Sequence, residues 1–147
     1  MPYVSAALYV APSDELTART IAALTDLTVE VLGKERARTT VVVQYVPAGQ
    51  WARGGSPLPV RGYFVDVKVT AGTNLRHDKA RYVREVNRAL QSLLGEASGY
   101  VVVEEIAADS WGYTGETQEL HYLRNKLAPR IEDSKVSPHV QARSAQG

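Results

Sequence analysis

The run Val41-Val42-Val43-Gln44-Tyr45-Val46 leads into Trp51-Ala52-Arg53-Gly54-Gly55. Sixty residues later Val101-Val102-Val103-Glu104-Glu105-Ile106 leads into Trp111-Gly112-Tyr113-Thr114-Gly115. Each β-branched run reads as a strand followed by a glycine-containing turn. Working outward, each strand is preceded by a helical pattern that a glycine closes. Leu16, Ile21, Leu24, Leu27, Thr28, Val31 and Leu32 recur at three- and four-residue spacing before Gly33. Leu75, Tyr82, Val83, Val86, Leu90, Leu93 and Leu94 form a second stripe before Gly95. Further out, Tyr3 and Val4 lie sixty residues before Tyr63 and Phe64, at the start of two more apolar runs. The chain is a duplication, with copies at residues 2–55 and 62–115.

Each copy predicts strand, helix, strand. Ser13 is the expected N-cap of the first helix, with Asp14 and Glu15 in its first turn; the second helix is expected to begin near Asn74. A β-α-β unit makes its two strands parallel. Two such units joined antiparallel give an α+β fold, a four-stranded mixed sheet with both helices on one face. The proline-stiffened linker 56–62 leaves no room for separate domains, so residues 1–147 read as one domain with a tail, 116–147. In the tail, Glu119 to Leu127 predicts a short helix ended by Pro129; the chain is polar from Glu132 onward, and about its last ten residues are expected to fray or to touch a neighbouring subunit. On the strands, Val4, Tyr9, Val42, Val65, Val67, Val101 and Val103 are too many to turn all to the helices. The uncovered sheet face is therefore expected to be buried by self-association.

Composition narrows the function. Of 147 residues 44% are hydrophobic, enough for a core, and 17 basic against 16 acidic residues give a formal net charge of +1. Such a balance offers nothing to a nucleic acid or an anionic membrane; an RNA-binding sheet fits the topology but lacks a basic stripe. With no cysteine, disulfides and thiol chemistry are excluded. His77, His121 and His139 stand alone in sequence, so no metal site is expected. Nucleotide-cradling and hydrolase glycine motifs are absent, and no cofactor is expected. The opening residues lack a basic region followed by an apolar run, and no run is long enough to span a bilayer; a cytoplasmic protein is expected.

Pro2 is what remains for chemistry. Once Met1 is removed, its nitrogen is a secondary amine. An α-amine titrates below lysine, and an apolar setting lowers it further because desolvation disfavours the cation. Neutral near pH 7, it can take a proton from carbon beside a carbonyl or attack the carbonyl itself.

Pro2, the duplicated β-α-β unit, the glycine-closed helices and the segment Val46-Pro47-Ala48-Gly49-Gln50-Trp51-Ala52-Arg53-Gly54-Gly55 together resemble the tautomerase superfamily, whose type member is 4-oxalocrotonate tautomerase. The double length resembles its fused branch, which includes the cis-3-chloroacrylic acid dehalogenase group. The resemblance implies Pro2 as general base or acid, a small enol, keto or unsaturated carbonyl substrate, and a homotrimer. It also implies departures. Two substrate-binding arginines of the dehalogenase group fall at Thr70 and Thr73, a histidine at Thr28, and the water-activating glutamate at Tyr113. These count against hydration and dehalogenation, and leave as alternatives a non-catalytic, ligand-binding member or a Pro2-dependent hydratase, dehalogenase or decarboxylase. The replacement candidates for binding substrate are Arg76, Arg38 and Arg53, with Thr73, Trp51 and Trp111 as pocket residues and Lys68 as a further cation. Tyr113 is the candidate second catalytic group. Threonines cannot neutralise a carboxylate, so a substrate of low charge is expected, with Arg76 as at most one anchor.

Overall fold

The computed structural model describes residues 1–126. The order of elements is β1 (Tyr3–Tyr9), α1 (Asp14–Leu32), a 3-10 turn (Arg36–Arg38), β2 (Thr40–Tyr45), the hairpin β3 (Ala52–Arg53) and β4 (Ser56–Pro57), β5 (Arg61–Thr70), α2 (Arg76–Leu94), β6 (Ala97–Ile106) and the hairpin β7 (Gly112–Tyr113) and β8 (Glu116–Thr117). The main sheet has the order β2-β1-β5-β6. β1 is parallel to β2, β5 is parallel to β6, and the two central strands run antiparallel. This is the expected mixed sheet of two β-α-β units.

The helices form where their caps and stripes say. Ser13 Oγ accepts the Leu16 N–H at 3.2 Å, and Gly33 takes the left-handed φ of 65° that closes α1. α2 starts at Arg76, slightly later than expected, because Asp78 Oδ2 accepts the Leu75 N–H at 3.0 Å and fixes Leu75 as the cap. Leu24, Val31 and Leu32 of α1 and Tyr82, Val86, Leu90 and Leu94 of α2 pack with Val4, Ala6, Leu8, Tyr63, Val65, Val67 and Val69 into one core. Complete burial of each leucine is worth about 1.5–3 kcal/mol. A buried polar lock ties the helices together. Thr28 Oγ1 donates to the Leu24 carbonyl at 2.7 Å, so its lone pairs receive the Tyr82 hydroxyl at 3.0 Å.

Strand register refines the duplication. Tyr3 pairs with Thr40, and Phe64 pairs with Tyr100. The second strands repeat at sixty, but the first strands therefore repeat at sixty-one, and the counterpart of Pro2 is Tyr63. The sixty-residue match would place Val4 opposite Phe64, one buried and one 40% exposed. Side-chain period two forbids that.

The faces also differ from expectation in detail. Val4, Val65, Val67, Val101 and Val103 all pack toward the helices. The other face carries Tyr3, Ser5, Ala7, Val42, Phe64, Asp66, Lys68, Tyr100, Val102 and Glu104, by register with one another. It holds a tilted Phe64–Tyr100 ring pair at 6.0 Å and an ion cluster in which Lys68 meets Asp66 and Glu104. The uncovered face is thus largely apolar, with one charge cluster in which a lysine is shared by two carboxylates.

Contacts divide the chain into two compact units, Met1–Ile106 and a second beginning at Ala107. In the second unit the β7–β8 hairpin runs into a helix at 118–126, whose Leu120 N–H is capped by Thr117 Oγ1 at 3.1 Å. Glu116 pairs with Arg124 at 2.6 Å and with His121 at 3.6 Å. Leu127, Pro129, His139 and the polar segment from Glu132 lie outside the described residues. Among the described residues no helix is long and apolar enough to cross a membrane, and no group of three metal-ligating side chains occurs.

Candidate functional site

Strand β1 begins beside the loop that follows α1. Gly33 turns the chain out of the helix, and Thr39 Oγ1 donates to the Glu35 carbonyl at 2.8 Å, tightening the turn that holds Arg38. β2 then leaves parallel to β1, with the Thr40 N–H donating to the Pro2 carbonyl at 3.2 Å. Pro2 is buried. Parallel pairing thus fixes the start of β1 against a loop containing Lys34 and Arg38.

The amine at this terminus feels that loop. Burial first, and then the positive charges of Lys34 and Arg38, hold the Met1 α-amine below its ordinary value, while Glu35 pulls the other way. Lys34 is itself half-buried. Burial holds its ammonium below the usual lysine range, against an opposing pull from Asp78. Lys34 Nζ donates to Thr73 Oγ1 at 2.9 Å, and Thr73 Oγ1 donates onward to the Thr70 carbonyl at 2.6 Å. Asn74 Nδ2 donates to the Leu32 carbonyl at 2.9 Å, pinning the same loop to the end of α1. The result is a desolvated amine position, one partly buried cation and one exposed arginine at a single strand end. Such a set can take a proton from carbon while holding one anionic group beside it.

Of the sequence candidates, Pro2, Arg38 and Thr73 gather here. Arg38 also pairs with Glu35, at 3.3 Å. Arg76 is the first residue of α2 and is exposed. Lys68 is engaged by Glu104 and Asp66, whose hydrogen bonds raise its pKa, so it is spent as a carboxylate clamp. Arg53 Nη2 donates to Ser98 Oγ at 2.7 Å, and Trp51 packs on the Tyr9 ring at 6.0 Å. Both are therefore at the Tyr9 end of β1, about 20 Å along the strand from Pro2 within the chain. Trp111 and Tyr113 belong to the second unit, Tyr113 being 55% exposed in its hairpin. Thr28, where the resemblance places a histidine, is sealed between the helices.

Lys34 is the residue that sequence reasoning missed. It follows a helix-ending glycine, where a lysine reads as an ordinary solvated complement to the helix dipole. The usable signal was its place in the strand order: the residue after α1 lies beside the start of a parallel β1.

Comparison with known proteins follows this geometry. Residues 2–61 match the family model for tautomerase enzymes. Among curated proteins, none matches the chain. Among solved structures, a wild-type fused 4-OT symmetric trimer is 19% identical with a TM-score of 0.72, over 80% of this chain and 96% of that one. Pt0534, solved after inactivation by 2-oxo-3-pentynoate, is 15% identical with a TM-score of 0.72, over 81% and 98%. A macrophage migration inhibitory factor-like protein from Entamoeba histolytica is 20% identical with a TM-score of 0.66, over 79% and 97%. At these identities the structural likenesses speak for the fold.

Proposed function

We infer that this chain, whose residues 2–61 match the tautomerase family model and whose two β-α-β units share the fold of fused 4-OT proteins, is a tautomerase that moves a proton on a small enol or keto acid through the amine of Pro2. The observation that carries the reading is the meeting of Lys34 and Arg38 with a desolvated terminal amine. Removal of Met1 moves the free amine to the nitrogen of buried Pro2, at the same strand end and beside the same loop. Towards the enol, its neutral form takes a proton from the carbon next to the carbonyl and the carbonyl oxygen is then protonated; towards the ketone, the enol O–H proton is lost and the protonated amine returns a proton to that carbon. The enolate that forms between these steps is negative, and Lys34 is placed to stabilise it or the neighbouring carboxylate.

Lys34 changes the substrate expected from the missing arginines. Thr70 and Thr73 carry no charge, but Thr73 accepts a hydrogen bond from Lys34 and so orients the cation. One partly buried cation suits one carboxylate, and the exposed Arg38 reaches no second buried site. The proposed substrate is a monocarboxylic α-keto acid or its enol. The trimer of the fused 4-OT extends by proposal to this chain, the uncovered sheet face being the surface it would bury. The test is the ketonisation of an arylpyruvate enol, followed by ultraviolet absorbance. Native protein should accelerate it, and Pro2→Ala should lose at least a hundredfold in kcat/KM. Equal rates for the two proteins would remove the proposal.

A further inference from the structure

The corrected register relates the two β-α-β units by a pseudo-twofold axis between β1 and β5, and that axis exchanges the two ends of the sheet. At one end the start of β1 meets the loop after α1 and the loop after β5. At the other, the start of β5 meets the loop after α2 and the loop after β1. This second end holds a groove of about 800 Å³, whose lining includes Tyr9, Val10, Pro12, Leu58, Arg61 and Glu96. The groove is the duplicated counterpart of the Pro2 end, and its chemistry has been replaced. Pro2 corresponds to Tyr63, whose nitrogen is an internal amide. Lys34, the residue after Gly33, corresponds to Glu96, the residue after Gly95. The loop at Thr70–Thr73 corresponds to the apolar Tyr9–Pro12.

We propose that this groove is a second ligand site, separate from the Pro2 end, which takes a neutral aromatic molecule. Its volume lies within the range of small-molecule pockets, and its walls are predominantly apolar. Its charges oppose an anion: Glu96 stands on the same lining as Arg61, and the Arg61 guanidinium already donates to the Leu94 carbonyl. The Tyr45 hydroxyl is committed to Thr17 Oγ1 at 2.7 Å and the Ser13 carbonyl at 3.1 Å. The Tyr9 hydroxyl accepts the Gly49 N–H at 2.9 Å, which leaves its own proton for one neutral acceptor. Glu96 offers an acceptor to one donor. An aromatic ring carrying a single donor or acceptor satisfies this wall, and a carboxylate does not.

The proposal does not rest on the amine chemistry, and binding to the groove is read whether or not the Pro2 end turns over. The neutral fluorophore N-phenyl-1-naphthylamine is titrated into the native assembled protein. Saturable binding is expected, undiminished by a saturating arylpyruvate. Ala11→Trp and Ala48→Trp fill the groove from exposed loop positions. Each should weaken probe binding at least tenfold while the Pro2-dependent turnover is retained. On the native protein the probe should shift the amide resonances of Tyr9, Tyr45 and Glu96, whatever the two variants do. Displacement of the probe by the keto acid, or shifts confined to residues outside the groove, would overturn the proposal. So would binding that appears only when the assembly is diluted apart, because a second copy of the chain would then be the occupant.

Discussion

Removing the Lys34 ammonium acts on the amine and on the substrate at once. Lys34→Ala should lower kcat/KM for an α-keto acid by about 10–100-fold, the worth of a hydrogen bond to a charged group, and should leave a neutral ketone nearly unaffected. It also removes one of the charges that hold the terminal amine low, and lets water in. The amine then titrates higher, and because the neutral form is the base, the acid limb of the pH–rate profile moves to higher pH. A profile that stays in place would detach Lys34 from the amine. Tyr82 gives a second residue-scale test. Burial pushes its hydroxyl up to about 12 against the hydrogen bond with Thr28. A raised folded value favours the protonated form, so its contribution is complete below about pH 10 and is lost as the pH climbs from 10 toward 12. Denaturant unfolding should show about 2–3 kcal/mol of stability lost across that window. Tyr82→Phe should remove that loss, at a cost of about 1 kcal/mol near neutrality.

At the scale of the element, β6 is held against β5 by a glycine that has no room to change. A Cβ on Gly99 would lie 1.9 Å from the Tyr63 carbonyl oxygen, which is backbone and cannot swing away. Gly99→Ala should therefore destabilise the protein by about 1–3 kcal/mol or more, measured as a lower denaturation midpoint with an unchanged slope. Little change would mean that the strand slides to make room. The elements themselves were legible because helix stripes, caps and closing glycines are local signals: Ser13, Gly33 and Gly95 mark helix ends in the sequence as they do in space. Register was not legible. Tyr3 and Val4 aligned with Tyr63 and Phe64 share residue character, but only pairing across the sheet shows that the match is one residue out. For the same reason the valines could not be assigned to faces beforehand. Of the candidate site, Pro2 and Arg38 were named from the sequence, but only the pairing of β1 with β2 puts them at one strand end. Lys34 came into it only through the parallel pairing of β1 with β2, and Arg53 and Trp51 went to the far end of the same strand.

For the whole molecule, the proposed assembly is one that buries the uncovered sheet face. Phe64, Tyr100, Val42 and Val102 share it with an ion cluster in which Lys68 pairs with both Asp66 and Glu104, so burying it costs less than three separate charges would. Light scattering should give about three times the 16.1 kDa chain, and Phe64→Glu, which adds an unpaired charge at a 40% exposed position, should shift the protein to monomer at micromolar concentration. A native monomer would leave the face without a partner. The claim on which the rest depends is that the nitrogen of residue 2 does the chemistry, and intact mass on the assembled protein reads it directly. After treatment with 2-oxo-3-pentynoate, whose alkyne conjugated to a ketone accepts an amine, the account predicts chains that lack Met1, carry one reagent on Pro2 by peptide mapping, and lose turnover in step with labelling. Chains that retain Met1, or full labelling elsewhere with turnover intact, would contradict it.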